Sequence, residues 1–268
     1  GGTVMEDNKT VYLGVDNTPA AWLKFVADVE GDFTSGSLYV YKENAANHWV
    51  QVDNGSFQDA LDVEDNAWAE GASMYNRIEW VARSTNGKIY FTETGRDNPG
   101  GRWIGEHTDG GEHANHHMMR ALQQGTHPDS SDYVDYYGRV MEFDPETNEM
   151  RVFLAGGPEY LGTSDVPMNQ YPDIHLSNPD GLSFLRSNGR EYMIVQEDLN
   201  GNSYGRTPGG VTNRLCEVFL LDMEIENPTY SDLIRISAVP EGAEVTGARA
   251  TPDGKTILLN SQHPSTGN

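Results

Sequence analysis

Short runs of strand-forming residues alternate with tight polar turns along most of this chain. Arg77-Ile78-Glu79-Trp80-Val81-Ala82 leads through Asn86-Gly87-Lys88 into Ile89-Tyr90-Phe91-Thr92-Glu93, and Asn178-Pro179-Asp180-Gly181-Leu182-Ser183-Phe184 leads through Asn188-Gly189-Arg190 into Tyr192-Met193-Ile194-Val195. Near the end, Gly242-Ala243-Glu244-Val245-Thr246-Gly247 leads through Asp253-Gly254-Lys255 into Thr256-Ile257-Leu258-Leu259 and then Gln262-His263-Pro264. A partial copy at the start sets Asp7-Asn8-Lys9 before Thr10-Val11-Tyr12-Leu13-Gly14-Val15-Asp16. An Asp-Gly or Asn-Gly pair between two such runs is the strongest short-range hairpin signal, because both central residues of the favoured turn need positive φ.

Further strand pairs follow the second and third hairpins. Gly138–Phe143 pairs with Met150–Leu154 across Asp144-Pro145-Glu146-Thr147-Asn148, and Cys216–Leu221 pairs with Leu233–Ser237. Near the N-terminus Gly36–Lys42 and Trp49–Val52 form another pair, and Ala60-Leu61 with Ala67-Trp68-Ala69 suggests a short helix. Irregularly repeated four-strand units predict an all-β fold of the β-propeller type, with about two full and two partial blades in one domain spanning residues 1–268. A closed propeller needs roughly four blades at least, so the remainder of the propeller is expected to lie outside this chain. Residues 95–135 form a Gly/His-rich loop insertion with little strand pattern, containing His107, His113, His116, His117 and His127.

Composition narrows the function. The chain has 268 residues, 41 acids against 18 Lys and Arg, and a net charge of −23, so phosphates of nucleic acid would be repelled. No apolar run reaches the roughly 18 residues of a membrane span, and no leader is visible at Gly1-Gly2-Thr3, as expected of a mature or trimmed product. The single cysteine, Cys216, heads an apolar strand and reads as a buried thiol.

In a propeller the innermost strands begin at one mouth of the central channel, so Glu79, Asp180 and Glu244 are expected to converge there. Acids that follow the second strands, namely Asp16, Glu93, Glu197 and Asp198, add oxygen donors. Carboxylates brought together without bases repel by several kcal/mol, a cost that a hard cation such as Ca²⁺ or Mg²⁺, or a redox metal such as iron, removes. Arg77 and Arg249 either balance these acids or clamp a phosphate, and His263 is placed to contact a bound anion. The histidines of the insertion lack the His-Glu-x-x-His order of a helical zinc site and read as a solvated lid loop. No Gly-x-Ser-x-Gly elbow and no phosphate-binding loop is present, which leaves metal-assisted chemistry.

The residues carrying these readings resemble the PhoX family of secreted bacterial alkaline phosphatases. Thr10–Asp16, Leu23-Lys24-Phe25-Val26 and Gly36-Ser37-Leu38-Tyr39-Val40 are similar to its N-terminal strand segments. Arg77-Ile78-Glu79-Trp80, Asn178-Pro179-Asp180-Gly181-Leu182, and Glu244-Val245-Thr246-Gly247 through Gln262-His263-Pro264 are similar to its site motifs. The resemblance implies a six-bladed propeller that hydrolyses phosphate monoesters, calcium and iron in a central site, and a secreted or periplasmic location. By motif position Glu79 and Glu244 would be metal ligands and the neighbouring arginines would meet the phosphate. The family's Cys-Glu-Glu-Asn-type segment, which supplies a cysteine ligand for iron, has no counterpart here, so the chain is expected to be the C-terminal portion of such an enzyme. The competing expectation is a non-catalytic extracellular calcium-binding propeller used for binding or assembly.

Overall fold

In the computed structural model of the chain, the described residues are 1–95, 112–133, 135, 137–157, 176–198, 215–240 and 242–263. They form an all-β molecule of several antiparallel sheets, none of them closed into a barrel. The first sheet runs in chain order through β1 (Gly2–Val4), β2 (Thr10–Gly14), β3 (Ala20–Val29), β4 (Asp32–Tyr41) and β5 (Trp49–Val52), with the short β6 (Met74–Tyr75) paired to β3. The second comprises β7 (Ile78–Arg83), β8 (Ile89–Glu93), β9 (Arg139–Asp144) and β10 (Glu149–Ala155). The third comprises β11 (Pro179–Ser187), β12 (Arg190–Glu197), β13 (Glu217–Asp222) and β14 (Ile234–Ala238), and β15 (Glu244–Ala250) pairs with β16 (Ile257–Gln262).

The turn chemistry read from the sequence is realised in the backbone. Asn8, Gly87, Asn188, Gly189 and Gly254 all have positive φ, the conformation their residue types tolerate best. Each of the three expected hairpins forms, with Arg83 opposite Ile89, Ser187 opposite Arg190 and Ala250 opposite Ile257. The N-terminal sheet is wider than the partial copy expected, because Ala20–Val29 is a long strand whose half-buried interior lacks clean alternation. The acidic connection at residues 55–73 holds two short helices, α1 (Phe57–Leu61) and α2 (Val63–Ala69), where one was expected. Ser56 caps α1 through a reciprocal capping box with Asp59.

Successive sheets stack face to face. The first two enclose a core of Tyr12, Trp22, Tyr41, Trp49, Phe91 and Phe143, and the second and third enclose Tyr90, Phe153, Leu182, Met193, Val195 and Phe219. The third and fourth enclose Leu185, Ile194, Cys216, Val218, Val245 and Ala248, so the lone thiol is buried as expected. Gly14 permits the first of these contacts, since a Cβ there would lie 2.2 Å from Ile78 Cγ2. The stacking brings β7, β11 and β15 side by side, each contributing the first strand of its hairpin.

Rings hold the first interface: Trp22 stacks on Phe91 with centroids 4.5 Å apart, and Phe143 meets Tyr12 at 5.3 Å and Tyr41 at 5.5 Å. Truncation of Phe143, fully buried among four rings, is expected to cost about 3–5 kcal/mol. Urea unfolding of Phe143→Ala measures that loss, and a change below about 1 kcal/mol would contradict the packing described.

A candidate acidic metal centre at the strand starts

The strands β7, β11 and β15 begin alike. Two residues before each acid, the backbone enters the left-handed region, at Arg77 (φ 66°), Asn178 (φ 48°) and Gly242 (φ 77°). In the second and third sheets a glutamate at the end of the neighbouring strand fixes this lead-in. Glu93 accepts the Asn76 N–H at 2.6 Å and Glu197 accepts the Ser177 N–H at 2.7 Å. The chain is thereby turned so that Glu79, Asp180 and Glu244 enter a common space.

The carboxylates there interact strongly. Arg77 Nη2 donates to Glu79 at 2.6 Å and to Asp198 at 3.5 Å, and its Nε donates to Asp16 at 2.9 Å. Burial, then Asp16, pushes the Glu79 carboxyl up to about 8, while Arg77 opposes the shift. Burial, then Glu79, then a hydrogen bond with Glu244, pushes Asp180 up to about 9. Glu244 is raised as well, by burial and then by Asp198. Two carboxyl groups share a hydrogen bond only when one keeps its proton, so protons do here what a cation would do. Arg77 in turn is raised above the ordinary guanidinium value by Asp16 and Glu79, against its own desolvation.

Of the residues singled out in the sequence, the structure brings Asp16, Arg77, Glu79, Asp180, Asp198 and Glu244 together. His263, beyond β16, lies close enough to lower the Glu244 carboxyl, and Gln262 bridges the two at 3.3 Å and 3.1 Å. Glu197 is placed differently: its second oxygen accepts the Glu217 N–H at 3.0 Å, so both oxygens serve the backbone. Adjacent residues of an extended chain point to opposite faces, which is why Asp198 reaches the cluster when Glu197 does not. Arg249 lines a cleft with Arg83 and Arg186, farther along the same strands.

Two histidines of the 95–135 insertion depart from a solvated lid, while His127 is exposed as expected. His107 lies outside the described residues, but α3 (Glu112–Gln123) buries His113 and His117 completely. His113 Nε2 lies 2.9 Å from Glu93 and 3.2 Å from His117 Nε2. Among the described residues these three are the one set of His, Cys, Asp or Glu whose ligand atoms all lie within 4.8 Å of one another, so they could hold a metal. A guanidinium already serves them, however. Arg139 donates to Glu93 and, at 2.7 Å, to His117 Nε2, and Asp135 receives Arg139 at 2.8 Å and Arg120 at 3.0 Å. Two arginines thus face two carboxylates. Burial and then Arg139 lower His117 to about 3, which leaves it neutral, with Nδ1 on the Tyr133 hydroxyl at 2.6 Å. The His113/His117 spacing is one helical turn, a signal present in the sequence; nothing there announces Arg139 as their partner.

The acidic cluster is more open than that triad: no three of its carboxylates bring oxygens within 4.8 Å of one another, and its acids offer oxygen donors only. A family model described as an alkaline phosphatase matches residues 3–265, nearly the whole chain, and defines a phosphatase-type function. The family is PhoX, and the chain belongs to it. No curated protein matches the sequence.

Arg139 is fully buried between Glu93 and Asp135, and its removal leaves Glu93 without a guanidinium and Asp135 with Arg120 alone. Arg139→Met is therefore expected to lower unfolding free energy by about 3–5 kcal/mol. Denaturant unfolding checks this, and a variant as stable as the parent would show that the network does not depend on the guanidinium.

Proposed function

We propose that the chain carries the metal and phosphate site of a PhoX-type phosphomonoester hydrolase, built where the blades of a β-propeller converge. The observation that carries the reading is the meeting of Glu79, Asp180 and Glu244, from three different sheets, with Asp16 and Asp198 beside them. Five acids meet there and the one guanidinium, Arg77, pairs with three of them, an imbalance that favours divalent cations. Calcium fits the oxygen donors, and iron enters only through the family's pattern. Family membership also supports a secreted or periplasmic location; among the described residues no helix is long and apolar enough to cross a membrane. The stacking of sheets in chain order is consistent with successive propeller blades.

In this reading the Glu79, Asp180, Asp198 and Glu244 carboxylates would hold the cations, which would supply charge neutralisation at the phosphoryl oxygens during in-line displacement. The planar guanidinium of Arg77, beside these acids, would grip two phosphate oxygens and orient the ester. His263, next to Glu244, is placed to meet the same anion. The non-catalytic alternative is not favoured, since the family match points to turnover.

Hydrolysis of p-nitrophenyl phosphate, with chelator and after calcium is restored, tests the reading. Activity is expected to vanish on chelation and return with calcium, and Arg77→Gln is expected to lose about 10²-fold or more in kcat/KM. Turnover indifferent to chelator would reject it.

A pH dependence follows from the same acids. Their folded-state proton affinity lies above the ordinary carboxylate value, so in the cation-free chain this contribution is greatest below about pH 4. It is lost as pH rises through the folded values of about 8 for Glu79 and about 9 for Asp180. Thermal melts of chelated protein should therefore fall between pH 5 and pH 9, and calcium should remove much of that fall. A calcium-free midpoint that climbs over the same range would contradict the cluster.

A further inference from the structure

The strands that present the acids also carry arginines at their far ends: Glu79 and Arg83 on β7, Asp180 and Arg186 on β11, Glu244 and Arg249 on β15. The spacings are unequal, but each strand is interrupted by a register shift near its acid or before its arginine, between Ile78 and Val81, Pro179 and Leu182, and Thr246 and Arg249. At about 3.3 Å per residue the two ends stand about 13–20 Å apart. The three arginines line one cleft of about 530 Å³, and no carboxylate is among its described lining residues. In a chain with 18 basic residues and a net charge of −23, three of them lining one cleft is a local concentration of guanidinium groups.

Their existing partners leave capacity unused. Arg83 Nη1 pairs with Glu6, which is 84% exposed, while the buried Arg83 Nε has no hydrogen-bond partner. Arg186 uses Nε on Glu191 at 2.9 Å. Arg249 lies with Cζ 5.6 Å from the Trp80 ring centroid, a contact that orients the guanidinium without using its N–H groups. The hydroxyl protons of Ser183 and Thr251 go to Ala248 O and Asp253, so the guanidiniums are the charged donors facing the cleft.

We propose that this cleft is a second anion site, separate from the acidic centre, that takes a small oxyanion of high charge such as pyrophosphate. Forked donors from three strands match several oxygens on adjacent phosphorus atoms, and one Lys-like point charge would not. Arg249 then belongs to this site, not to the ester bound beside Arg77.

Calorimetric titration of the full chain with pyrophosphate, at low ionic strength and with chelator present, isolates the cleft, because the cation-free acids repel the anion. Saturable binding with a Kd of about 1 mM or tighter is expected, weakened about tenfold or more by Arg249→Gln or Arg83→Gln and changed less than about twofold by Arg77→Gln. Thermal melts establish that each variant is folded, and the two arginine variants guard against either failing to fold. No saturation in the parent by about 10 mM, or binding lost with Arg77→Gln and kept in both cleft variants, would overturn the assignment. Since the cation-free protein is used, failure here leaves the calcium-dependent phosphatase reading to its own test.

Discussion

Like-charge repulsion in a partly dry space is the constraint around which this molecule is arranged. Three strands from three sheets start with an acid, and packing of those sheets forces the acids together. Folding therefore spends part of the free energy of its apolar interfaces on holding Glu79, Asp180 and Glu244 in company that water would not impose. Protons and Arg77 offset some of that cost in the cation-free chain. In the function proposed above, a divalent ion would offset more, and stability and chemistry would then be linked through the same side chains.

The contrast with the Glu93 network is instructive. There two carboxylates meet two arginines, every described contact is short, and burial is complete. Such a balanced arrangement ties α3 to the strand start at Asn76. The acidic cluster lacks that balance: Arg77 pairs with Asp16, Glu79 and Asp198, and Asp180 and Glu244 add two further carboxyl groups. One set is closed and charge-matched; the other is open and carries an excess of acids.

The hairpins were readable because Asn-Gly and Asp-Gly turns state their backbone conformation in residue identity. The convergence of the acids was readable because equivalent repeat positions fall at equivalent places in stacked sheets. Glu197 escaped that logic, since a strand's alternation decides between neighbours and the sequence does not mark where the strand ends. The burial of His113 and His117 escaped it as well. A five-residue stretch rich in histidine and asparagine has low hydropathy, and its burial depends on Arg139, Asp135 and Tyr133, which lie up to 26 residues away from His113 and are joined to it only by the fold.

The three strand starts also differ in how easily their chemistry tolerates the backbone. Glycine at 242 adopts its left-handed conformation without steric penalty and asparagine at 178 is among the residues that accept it, but arginine at 77 bears a strain of order 1–3 kcal/mol. A glycine at 77 would relieve that main-chain strain but remove the ion pairs to Asp16, Glu79 and Asp198, so backbone comfort and charge balance pull in opposite directions at this one residue.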